Sequence, residues 1–68
     1  MKVGDLVKFI DEGTYLKWFL YHLGRVEHVS YGADGKTHCR VMWLWPVKYF
    51  NRYASISDFR ADKFEVCK

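Results

Sequence analysis

Very little in this chain would break a backbone, and very little in it is built to bind a cofactor. Pro46 is its one proline in 68 residues. Two cysteines, Cys39 and Cys67, are too few for the disulfide frame of a secreted mini-protein. They also fall in strand segments that are not neighbours, where their Cα atoms would be too far apart to bridge, so both are expected as free thiols. There is no apolar stretch of about eighteen residues and no charged-then-apolar leader, so neither a membrane span nor a signal peptide is expected. With that absence, the Met1 start predicts a cytoplasmic protein without a membrane partner. Runs of one charge, repeats, linkers and low-complexity segments are missing as well. One small domain, residues 1–68, is the reading.

What the chain has in excess is rings. Three Trp, five Tyr and five Phe make 19% of it aromatic. A domain this short buries only about 60% of its unfolded surface, so large rings supply the density its core needs. Eleven basic and eight acidic residues leave a net charge of +3, spread evenly. That balance favours solubility and permits contact with nucleic acid without arguing for it.

The organising stretch is Thr37 to Trp45. Cys39, Val41, Trp43 and Trp45 alternate with His38, Arg40, Met42 and Leu44, which is the period of a strand, and Pro46 closes it. Trp43 is the expected core anchor, and toward Pro46 both faces are apolar, which predicts cover on both sides. Before it, Val3–Ile10 reads as a first strand with Val7 and Phe9 on one face, with Gly4-Asp5 as a turn or bulge at its start. Thr14–Leu23 reads as a long aromatic loop with one helical turn. Gly24–Ser30 is a second strand, and the three-residue step from Val26 to Val29 predicts a bulge or a strong twist. Asp34-Gly35 supplies the positive φ of a tight hairpin. After Pro46, Val47–Tyr49 reads as a connection and Phe50–Ser55 as a fourth strand. Ser55-Ile56-Ser57-Asp58 has the form of a capping box opening a single turn. Phe64–Cys67 closes the chain as a strand with Phe64 and Val66 inward. The sum is an all-β fold, a small five-stranded barrel, closed or half-open, with one short 3-10 or helical turn before the last strand.

The order Val3-Gly4-Asp5-Leu6-Val7, Gly24-Arg25-Val26-Glu27-His28-Val29, Arg40-Val41-Met42-Trp43, Ile56-Ser57-Asp58-Phe59-Arg60, Phe64-Glu65-Val66 resembles the Src-homology-3-like small barrels. It is most similar to the Tudor and PWWP branch, and its Met1-Lys2-Val3-Gly4-Asp5-Leu6-Val7 opening resembles short bacteriophage reading frames. The place of the PWWP motif here reads Leu16-Lys17-Trp18-Phe19-Leu20, without proline, and no chain is left for the helical extension of that branch. The resemblance therefore implies a phage or bacterial accessory barrel, in the host cytoplasm if phage-encoded, rather than a chromatin reader.

For catalysis the chain offers little. His38 and Cys39 are adjacent, so on a strand they point to opposite faces, and no nucleophile has a base at usable spacing. Three His and two Cys lack any metal-ligand spacing. A non-enzyme with no cofactor and no metal is expected. For nucleic acid, the rival partner, Arg40, Lys48 and Arg52 interleave with Trp45, Tyr49 and Tyr53, the mixture of cations and stacking rings a single strand requires. For a protein or peptide partner, the favoured class, the first loop and the connection after the central strand lie at one end of such a barrel. Families of this kind place their ligand grooves there. Tyr15, Trp18, Trp45, Tyr49 and Tyr53 are the expected contact residues. Trp43 and Phe19 go to the core, and a weak homodimer is a second way to cover the exposed rings.

Overall fold

In the computed structural model, which describes residues 1–67 without the side chains of Thr14 and Tyr15, alternation of apolar and polar residues is cashed in as an antiparallel sheet. Its strands are β1 (Leu6–Phe9), β2 (Leu23–Tyr31), β3 (Thr37–Tyr49), β4 (Arg52–Arg60) and β5 (Phe64–Val66). Two 3-10 segments, η1 (Thr14–Phe19) and η2 (Ala61–Lys63), sit in the connections β1–β2 and β4–β5. The ladder order is β4-β3-β2-β1-β5.

Inward positions follow the period of two. Val7 and Phe9 of β1, Cys39, Val41 and Trp43 of β3, and Phe64 of β5 are buried. The step from Val26 to Val29 is a bulge at Glu27, because Val26 pairs Val41 while His28 pairs Arg40. The extra residue lets both valines face the core. Gly24 lies opposite Trp43, and a Cβ there would stand 2.2 Å from Val41 Cγ1 and 3.0 Å from the Met42 carbonyl oxygen. Glycine is what allows β2 and β3 to close over that ring. The β2–β3 turn is held as expected, with Gly35 at φ 74° and the Asp34 carboxylate accepting from the Lys36 amide.

Several expectations are corrected. β3 does not stop at Pro46 but runs through it to Tyr49. Met42 pairs Ile56 and Val47 pairs Ala54, so Trp43 to Pro46 stand opposite Ser55 alone. A proline has no N–H to give a ladder, and a wide irregularity asks for none. The same irregularity throws Trp45 outward, 71% exposed, and returns Val47 to the core. The second face near Pro46 is open rather than covered, with Met42 43% and Leu44 41% exposed. Val47–Tyr49 is strand, the β3–β4 loop is Phe50 and Asn51, and Ser55 to Arg60 belong to β4 rather than to a capped turn. Their polar groups serve cross-strand partners instead: Ser57 accepts from Trp43 Nε1–H at 3.0 Å, and Asp58 binds Arg40.

The turn before the last strand is η2, as expected, but the sheet does not close into a barrel. β5 has three residues and spends its rungs on β1, Val7 with Val66 and Phe9 with Phe64. It has no length left to reach along β4. Rings fill that end instead. Phe9, fully buried, packs against Phe59 at 4.9 Å, Phe64 at 5.2 Å, Phe19 at 6.0 Å and Trp43 at 6.3 Å between centroids. A hub of this kind stabilises by roughly 1.5–3 kcal/mol per buried large side chain.

Candidate functional site: an aromatic groove along the margin of β4

The site begins with a turn. Asp11 accepts from the Gly13 amide at 3.0 Å and Gly13 accepts from the Leu16 amide at 3.0 Å, which starts η1. Backbone bonds from Tyr21 to Phe9 and from Phe9 to His22 tie the end of the loop back to β1. In a 3-10 segment residues three apart eclipse, so Leu16 and Phe19 share one side and meet the core, and Trp18 takes another. Phe19 stacks on Trp43 at 5.4 Å and 29°, and touches Tyr49 at 5.6 Å and Phe59 at 5.2 Å.

The other wall is the β3–β4 hairpin. Phe50, at its tip, has φ 52° and is 67% exposed. The left-handed region is uncommon for a bulky residue and costs on the order of 1–3 kcal/mol, a strain that tends to collect at working surfaces. Phe50 packs on Trp18 at 4.6 Å and on Tyr49 at 5.7 Å, and so joins η1 to the hairpin. Between these walls runs a groove of about 390 Å³, floored by Leu16, Phe19 and Tyr49 and bounded by Ile56 to Phe59 of β4.

Charge around the groove is uneven. Arg40 donates from Nε to Asp58 Oδ1 at 3.0 Å and from Nη2 to Oδ2 at 3.3 Å, which neutralises the one carboxylate on the groove's border and pushes the guanidinium pKa up. Lys17 lies 5.9 Å from the Trp18 ring centre, and Arg52 is the cross-strand partner of Tyr49. Among the described residues neither Lys17 nor Arg52 has a carboxylate within 4 Å, the ion pairs being Lys8–Glu65, His38–Asp34, Arg40–Asp58, Arg60–Asp62 and Lys63–Asp11.

The structure divides the residues that sequence reasoning grouped together. Trp18 and Tyr49 are brought to one place, through Phe50. Trp45 and Tyr53, 71% and 68% exposed, make no ring contact with that cluster among the described residues. Tyr53 pairs Lys48 and alternates with Arg52, which puts it on the opposite side of the hairpin from Tyr49. Of the basic candidates, Arg40 is engaged by Asp58, Lys48 stands beside Tyr53, and Arg52 faces the groove side. The Tyr15 side chain lies outside the described residues. Phe50, Ile56 and Phe59 were missed as groove residues. The available signal was Phe50-Asn51, a two-residue turn whose first member must take an unusual φ.

His38 and Cys39 do part to opposite faces: His38 meets Asp34 at 3.2 Å and Cys39 is buried. Cys39 and Cys67 are free thiols. Among the described residues no three His, Cys, Asp or Glu are placed to hold a metal ion, and no helix is long and apolar enough to cross a membrane. No protein-family model matches the chain, and no curated protein or solved structure is significantly similar to it.

Proposed function

We propose that the protein is a non-catalytic binding module, a half-open Src-homology-3-like barrel that recognises a protein or peptide through its aromatic groove. The observation that carries this is Phe50: a large ring held at φ 52°, two-thirds exposed and packed on Trp18 at the mouth of a 390 Å³ groove. A core does not need that ring, and a contact surface does. The return of β5 to β1 after a single 3-10 turn supports the barrel assignment. The phage-like opening of the chain supports an accessory role in a bacterial cytoplasm. Phe50→Asn tests the reading, because asparagine tolerates the left-handed backbone and leaves the fold in place. Affinity capture from a bacterial lysate should retain a protein on the wild type that Phe50→Asn and Trp18→Ala release and Trp45→Ala keeps. Equal retention by all four overturns it.

A second reading has its own observation. Lys48 and Tyr53 are cross-strand neighbours on the outer side of the hairpin, with Trp45 exposed close by in sequence and no carboxylate within 4 Å of Lys48 among the described residues. Cation and ring side by side suit a single nucleic-acid strand. Binding of this kind weakens with salt at a log–log slope of about −0.7 per phosphate contact, and Arg40, paired with Asp58, adds nothing to it. A flat response to salt removes this reading.

A further inference from the structure

Ile56, Ser57, Asp58 and Phe59 are consecutive, and all of them border the same groove. Successive residues of a strand point to opposite faces, so a groove lying on either face would meet every second one. Only a groove that runs along the strand's margin meets all four. β3 occupies one margin of β4 through the rungs from Met42–Ile56 to His38–Arg60. The groove therefore lies along the other margin, the open end of the ladder. Among the described residues, the backbone hydrogen bonds outside the ladders include none from β4, so the N–H and C=O groups on its outward margin have no backbone partner.

A free margin nine residues long is a liability that proteins cover or use. The usual blunting devices are weak here. β4 carries Arg52, Asp58 and Arg60 but neither proline nor lysine, Asp58 is taken up by Arg40, and the groove floor is aromatic. We infer that β4 accepts an extended peptide of a partner protein as a sixth strand, one of its apolar side chains entering the Leu16–Phe19–Tyr49–Phe59 groove and an acidic residue lying toward the hairpin tip. The inference rests on the reading of this groove as a peptide site and adds how the peptide is held. Backbone pairing follows from the unpaired margin, since no side chain supplies alternating donors and acceptors at strand spacing. The apolar anchor follows from the floor of rings. The acidic residue follows from Lys17 and Arg52, which flank the hairpin end without carboxylate partners among the described residues, while Asp58 is already neutralised by Arg40. For the same reason a lysine at the hairpin end of the peptide is disfavoured, since its ammonium would meet the cations of Lys17 and Arg52 beside the tip.

The test is selection of a displayed library of random peptides, about eight residues long to match a strand, against the immobilised protein. The enriched peptide is then synthesised with one N-methyl group at each position in turn. Enrichment should show alternating apolar residues with Asp or Glu at one end. N-methylation should cost about tenfold or more in Kd at every second position and little at the others. The β4 amides bordering the groove should gain protection from hydrogen exchange in the complex. A peptide that binds, is displaced by Phe50→Asn, and ignores the parity of N-methylation overturns strand addition and leaves the groove reading standing. Enrichment of lysine in place of acid overturns the charge assignment. No enrichment at all overturns the inference and the groove reading together.

Discussion

Replacing Trp43 by alanine removes the ring on which β3, η1 and β5 converge. Trp43 is 4% exposed and lies against Phe19 at 5.4 Å, Phe64 at 6.0 Å and Phe9 at 6.3 Å. Truncating a buried aromatic costs about 3–5 kcal/mol, lost transfer energy plus the cavity left behind. The hydrogen bond to Ser57 at 3.0 Å is lost as well, about 1 kcal/mol where the hydroxyl cannot reach water and less where it can. A natural domain of this length is stable by only roughly 3–10 kcal/mol, at 0.05–0.15 kcal/mol per residue. Trp43→Ala should therefore remove most or all of the stability. Trp45→Ala is the control: the same residue type two positions on, 71% exposed, expected within about 0.5 kcal/mol of the wild type. Urea unfolding followed by far-ultraviolet circular dichroism measures both. With a slope near 1 kcal/mol per molar for a small domain, the Trp43→Ala midpoint should fall by about 3–5 M or the variant should be unfolded at the start. Trp43→Phe, which keeps a ring and loses the N–H, should cost about 1–2 kcal/mol. If Trp45→Ala destabilises as much as Trp43→Ala, the outward turn at Pro46 is wrong, and with it the register of β3 on β4.

Gly24→Ala should destabilise by about 1–3 kcal/mol and lower the melting temperature by several degrees, because its Cβ would sit 2.2 Å from Val41 Cγ1; an unchanged melt would refute the tight crossing of β2 over β3. Lys63, and after it the Gly13 amide, hold the Asp11 carboxyl below its ordinary 3.8. A carboxyl with a depressed folded-state pKa contributes stability above its ordinary value and loses it as pH falls through the folded one. Urea midpoints taken from neutral pH downward should thus show Asp11→Asn less stable than the wild type, with the gap closing below pH 3.8; a gap that persists at the acid end points away from this pair. Burial pushes the Cys39 thiol up, and only Cys67 is partly accessible, so iodoacetamide should label Cys67 first and Cys39 only with denaturant; equal labelling of the native protein would contradict the core placement of Cys39.

The sequence by itself determined whatever depends on near neighbours. Alternation assigned Val7, Phe9, Val41 and Trp43 to one face because adjacent Cβ atoms on a strand must oppose one another. The spacing of Val26 and Val29 broke the alternation and called for a bulge or a strong twist, and the structure answers with an extra residue at Glu27. Asp34-Gly35 marked its turn through the one residue type that takes positive φ freely. Tertiary structure decided the rest, because pairing partners are distant in sequence and register is a property of two strands at once. Pro46 reads as a stop until β4 is present to skip past it, and Ser55-Ile56-Ser57-Asp58 reads as a cap until Arg40 and Trp43 claim Asp58 and Ser57. The groove belongs to neither segment alone: it exists because β5 is too short to cover β4, and that follows only from where β5 spends its rungs.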